Sequence, residues 1–164
     1  MPPAALTRSV QGRDEIVVKA SRETIWRILT DTARLPEWAP MVKHTNGIQE
    51  TLDAVRQCDV EFDGRPGKVT ERCCEFRPHE RIAWVMEQDS FGFSRMLSDF
   101  GFGFTLIPLD GSTRLINDSF WQPKHLLASL MSRFMMRPKI RRIRQQVLRN
   151  LKQLAEQHTA VTAA

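Results

Sequence analysis

The hydrophobic pattern of this chain changes period twice. Ile16-Val17-Val18 supplies β-branched residues to a predicted strand over Asp14–Lys19. Ser21 stands at a helix N-cap position, with Glu23 in the first turn, where acid favours the helix dipole. Ile25, Trp26, Ile28 and Leu29 then give that helix an apolar stripe. Leu35-Pro36-Glu37-Trp38-Ala39-Pro40 predicts a second short helical turn bounded by prolines. From residue 42 to 122 the period becomes two, predicting strands near Val42–Glu50, Val55–Asp63, Gly67–Arg77, Arg81–Gln88, Met96–Ile107 and Thr113–Trp121. The separators Asp63-Gly64-Arg65-Pro66-Gly67, Pro78-His79-Glu80 and Pro108-Leu109-Asp110-Gly111-Ser112 are turn chemistry short enough for antiparallel neighbours. Phe100, Phe102, Phe104 and Leu106 alternate with Gly101, Gly103 and Thr105, so one face of that strand is bulky and the other nearly bare.

Past Pro123 the helical period returns. Leu126, Leu127, Leu130, Met131, Phe134 and Met135 cluster before Pro138, which starts or kinks a long final helix. Ile140, Ile143, Val147, Leu151 and Leu154 continue its stripe at spacings of three and four. The expected fold is α+β: about seven antiparallel strands in a curved sheet, two short helices after the first strand, and a long C-terminal helix covering the apolar face. Residues 1–12 are expected to be a flexible lead-in, 13–158 a single domain and 159–164 a frayed end.

Composition agrees with a globular domain, at 41% hydrophobic and 26% charged residues. Cys58, Cys73 and Cys74 are odd in number and two are adjacent, so reduced thiols and a cytoplasmic location are expected. The start of the chain lacks the apolar core of a signal peptide, and no apolar run approaches the ~20 residues of a membrane span. The net charge is +5, and its sign comes from Arg133–Lys152, which holds eight basic residues and no acidic one. Three readings stay open for that segment: a solvated helix face, an anionic membrane surface, or RNA. Nucleic acid is disfavoured, because no aromatic interleaving accompanies the charge.

Val18-Lys19-Ala20-Ser21-Arg22-Glu23-Thr24-Ile25-Trp26, Asp31 and the Leu35–Pro40 segment resemble the START-like (SRPBCC) superfamily, in its polyketide cyclase/dehydrase and lipid-transport branch. Gly111-Ser112-Thr113-Arg114-Leu115 is similar to the hairpin entering that family's last strand, and Leu148-x-x-Leu151-Lys152 with Glu156 to its closing helix. The resemblance spans roughly residues 14–157. It implies the helix-grip (Bet v 1-like) fold with a cavity between sheet and final helix. It also implies lipid, quinone or polyketide-like ligands. Fold does not select among the superfamily's activities.

Candidate ligand-binding residues are Trp38, Trp84, Met86, Phe100, Phe102, Phe104, Asn117, Ser119, Trp121 and Met131, with Asn117 and Ser119 orienting the ligand. The Leu126–Met136 stretch is either a mobile lid or the first part of a packed helix. Glu71 and Arg72 compete for the inner face of one strand, and Glu75 belongs to the set of Glu71. No nucleophile–base pair, phosphate loop or metal cluster stands out, and no cofactor is expected. His44 and His125 are the only candidates for acid–base chemistry, which would be of the cyclase/dehydrase sort. The leading expectation is binding, and carriage, of a small hydrophobic molecule. The alternatives are an aromatase/cyclase-type enzyme, or an interaction protein using its basic helix on a membrane or ribosome.

Overall fold

The computed structural model of the protein describes residues 8–48 and 50–162. Residues 1–7, within the expected lead-in, and 163–164, within the expected frayed end, lie outside the described residues. The strands are β1 (Val10–Val18), β2 (Val42–Thr45), β3 (Val55–Phe62), β4 (Arg65–Arg77), β5 (Arg81–Asp89), β6 (Leu97–Leu109) and β7 (Ser112–Pro123). They form one antiparallel curved sheet in the order β1-β7-β6-β5-β4-β3-β2. Between β1 and β2 lie α1 (Arg22–Thr30), a 3-10 turn (Thr32–Arg34) and α2 (Leu35–Trp38). A single helical turn, α3 (Phe93–Met96), precedes β6. After β7 come α4 (Leu126–Met131), a turn of π-helix (Ser132–Met136) and α5 (Arg137–Thr162). The fold is the helix-grip arrangement.

The local chemistry explains the elements. Ser21 Oγ accepts the Thr24 amide at 3.2 Å and so caps α1, whose Ile25, Trp26, Ile28 and Leu29 are buried. Asp31 caps the following turn through the Ala33 amide. α5 packs on β1, β7, α1 and α2, and contributes Val147, Leu148, Leu151 and Ala155 to the core. Pro138 has no amide hydrogen and would crowd the carbonyl four residues back. The preceding turn widens instead, and the Arg137 amide bonds to the Ser132 carbonyl, five residues back.

Several boundaries differ from the sequence expectation. β1 begins at Val10, so residues 10–12 belong to the sheet rather than to a lead-in. β2 stops at Thr45, and Gly47 then turns the chain at φ 63°. Met96 belongs to α3, not to β6. α5 stays helical through residues 159–162. A bulge between Cys73 and Glu75 reverses the parity of β4. Glu71 therefore faces inward, while Glu75 turns outward to pair with Arg81 at 2.7 Å, which corrects their assignment to one face. Arg72 points to the other side and pairs with Glu87. The bare face of β6 also has a cause. A Cβ on Gly101 would sit 2.2 Å from the Trp84 carbonyl oxygen and 2.6 Å from the Phe120 ring.

Candidate functional site

The inner faces of β3 to β7, with α2 and α5, enclose a cavity of about 130 Å³ whose walls are mostly apolar. The phenylalanines of β6 supply the floor: Phe100, Phe102 and Phe104 all line it. Trp38 from α2 and Met86 from β5 join them, as do Asn117 and Ser119 from β7 and Ile140, Ile143 and Val147 from α5. Phe62, Phe91, Phe93 and Phe100 are its half-buried rim, with ring centroids 5.2 Å apart for Phe62–Phe93 and 5.7 Å for Phe93–Phe100. Asp89 sets that rim by accepting the amides of Phe91, Phe93 and Ser94 at 2.8–2.9 Å. Burial works against the Asp89 charge, but these amides outweigh it and hold the carboxyl below its ordinary range.

The structure thus brings together Trp38, Met86, Phe100, Phe102, Phe104, Asn117 and Ser119, but not Trp84, Trp121, Met131, His44 or His125. Trp84 is fully buried behind Phe102, with ring centroids 5.3 Å apart. Trp121 belongs to a separate cluster with Leu97 and Ile140, and its indole donates to Ser132 Oγ at 2.6 Å. Met131 is half-buried on α4. His44 is exposed on β2, and His125 caps α4 by accepting the Ala128 amide at Nδ1. Neither histidine reaches the cavity. None of residues 126–136 lines the cavity; the stretch is helical and packs through Ala128, Ser132 and the half-buried Met136.

Four charged residues that were not among the candidate ligand-binding residues line the cavity: Arg56, Glu61, Glu71 and Arg144. Arg56 is 1% exposed. Its Nε donates to Glu71 at 2.8 Å and its Nη1 to Glu50 at 2.9 Å. The Trp84 indole donates to the same Glu50 oxygen at 3.0 Å, and its ring lies 4.2 Å from the Arg56 guanidinium. Burial alone would lower the Arg56 pKa; Glu71 and Glu50 outweigh it and hold the pKa above normal. Burial raises the Glu50 pKa, against the pull of Arg56. Among the described residues, Arg56 Nη2 and Trp38 Nε1 are buried donors with no acceptor, and Glu50 Oε2 and His79 Nδ1 are likewise buried without a partner.

Arg144, which all three readings of the basic segment would leave on the surface, is instead 5% exposed and lines the cavity. It pairs with Asp14 at 2.8 Å and donates to Ser119 Oγ at 3.2 Å. Its guanidinium lies where Gly12 leaves room: a Cβ there would come within 2.6 Å of Nη2. Asn117 is satisfied within the sheet, donating to the Gly103 carbonyl at 2.9 Å.

Signals for both arginines were present. Arg56 shares the period-two face of Cys58 and Val60, and Arg144 lies on the Ile140–Val147 stripe. Glu50 was expected at the end of a strand over Val42–Glu50, but β2 stops at Thr45 and leaves it in an irregular segment. The thiols are poor nucleophiles at neutral pH, because burial pushes Cys58 up to about 11 and Cys73 to about 12.

A seven-stranded sheet gripping a terminal helix around an apolar cavity defines a START-like protein. The chain belongs to the family described as polyketide cyclase / dehydrase and lipid transport, whose model matches residues 9–156. No curated protein matches it. Among solved structures it is similar to the Zhui aromatase/cyclase from Streptomyces sp. R1128, with a TM-score of 0.71 and 18% identity over 90% of this chain and 94% of that one. It is similar also to a START superfamily protein from Mycobacterium smegmatis, with a TM-score of 0.63 and 21% identity over 92% and 97% of the two chains. Ara h 8.0201 aligns with a TM-score of 0.67 and 12% identity, over 88% of this chain and 95% of that one.

Proposed function

We propose that the protein binds, and carries, a small apolar molecule bearing a hydrogen-bond acceptor, such as a quinone or another carbonyl compound. The observation that carries this reading is the pair of buried donors without a partner among the described residues, Arg56 Nη2 and Trp38 Nε1, on residues of a mostly apolar wall. A buried donor without a partner costs about 1–3 kcal/mol, so a ligand carbonyl that satisfied one would gain more than the same bond on a solvated surface. Apolar contact supplies the rest, at about 25 cal/mol per Å² before the costs of association.

The test compares menadione, a two-ring quinone, with methylnaphthalene, which has a similar ring frame and no carbonyl. The expected result is at least about tenfold tighter binding of menadione. Arg56→Lys, which keeps the charge but removes Nη2, and Trp38→Phe, which removes the indole donor, should each shrink that preference. Equal affinity for the two compounds in the native protein would refute the donor assignment.

An aromatase/cyclase-type reaction is the second reading, favoured by one observation: the Glu71 carboxylate lies in the cavity wall beside Arg56. It predicts turnover of a polyketide-like chain that Glu71→Gln abolishes while binding survives.

A further inference from the structure

Helix α4 and the π-helical turn present most of their large side chains outward. Leu126, Leu127, Leu130, Phe134 and Met135 are 80%, 63%, 50%, 68% and 64% exposed. The rotation has a local cause: the Trp121 indole holds Ser132 inward at 2.6 Å, and Ala128 is the other buried residue of this stretch. Leu126, Leu130 and Phe134 recur every four residues and so share the opposite, solvent face. The Arg133 guanidinium lies 5.8 Å from the Phe134 ring, and Arg137, Arg141 and Arg142 follow, all exposed. From Ser119 to Ala155 the chain carries nine basic residues and no aspartate or glutamate.

We propose that this end of the molecule docks on an anionic lipid surface, the leucines and Phe134 entering the acyl boundary and the arginines meeting the headgroups. An apolar face bordered by arginines is the pattern that lies in a bilayer interface. None of the helices among the described residues is long and apolar enough to cross a membrane, so the contact is peripheral. A second copy is a worse occupant, because a two-fold contact would set the same arginines against each other. Nucleic acid would leave the leucines without a partner, since base stacking calls for aromatic platforms.

Flotation with vesicles tests this, using equal parts phosphatidylcholine and phosphatidylglycerol against phosphatidylcholine alone. The wild type is expected to float with the anionic vesicles and to bind neutral ones about tenfold or more weakly, each basic residue contributing about fivefold. Leu130→Ser with Phe134→Ser, and separately Arg133→Glu with Arg142→Glu, should each lose about tenfold or more of that binding. All four positions are exposed and outside the cavity wall, so thermal unfolding and menadione affinity should not move. The proposal is overturned by equal binding to both vesicles, or by no flotation of the wild type. It is equally overturned by a dimer in light scattering that the Leu130/Phe134 variant dissolves, or by RNA binding that this variant retains. It stands on the surface alone: vesicle binding by a protein that refuses menadione would sink the cavity reading and leave this one intact.

Discussion

At the scale of single residues, the molecule turns on Arg56. Its charge is held by two carboxylates and one indole face inside an apolar core, and removing one member strands the others. Arg56→Met is therefore expected to destabilise the fold by about 3–5 kcal/mol at neutral pH, measured by urea unfolding, although the substitute is apolar and similar in size. Glu50 adds a pH dependence. Its folded pKa is raised, so its stabilising contribution is complete below the unfolded value of about 4.3 and declines as pH rises through the folded value. Glu50→Gln keeps an oxygen for Trp84 and Arg56 but does not titrate, so stability should vary less across that interval. An unchanged pH profile would show that Glu50 is not the group responsible. The sequence announced the inward face of β6 because four large residues alternate there without interruption. Arg56 and Arg144 lie on apolar stripes that the sequence does show, but the carboxylates that make their burial possible are visible only in the fold. Those partners, Glu50 and Asp14, are respectively six residues from Arg56 across a turn and 130 from Arg144.

At the scale of elements, the sheet depends on where parity breaks. The Cys73–Glu75 bulge sends Glu71 inward and Glu75 outward, and period-two reading cannot see an extra residue. The rim depends on Asp89, whose carboxylate gathers the amides that place Phe91 and Phe93. Because its folded pKa is depressed, Asp89 stabilises the rim above the ordinary aspartate value of about 3.9. That support is lost as pH falls through the folded value. Asp89→Ala should speed amide exchange across residues 91–96 at neutral pH and leave α5 unaffected; unchanged exchange would contradict the clamp. On β6, Gly101→Val should abolish soluble folding, since its Cβ branch would meet the Trp84 carbonyl. The helices were more legible than the strands. Ser21 and Pro138 carry their structural reasons in single side chains, whereas the early end of β1 at Val10 follows from pairing with Phe120, far along the chain.

At the scale of the whole molecule, an apolar cavity lies beside an apolar, basic surface, and α5 belongs to both. Ile140, Ile143, Arg144 and Val147 line the cavity, while Arg137, Arg141 and Arg142 face solvent on the same helix. A carrier needs both features, one to hold its cargo and one to meet the surface where cargo is exchanged. If the buried donors receive the ligand, as proposed, the Trp38 indole reports on it directly. Nitrogen–proton NMR of the four tryptophan side chains during menadione titration is the decisive measurement. Trp121, whose indole already donates to Ser132, should stay in place, while the Trp38 signal moves downfield in saturable fashion as it gains an acceptor. Saturable binding that leaves the Trp38 resonance unmoved, or no binding at all, would contradict the account.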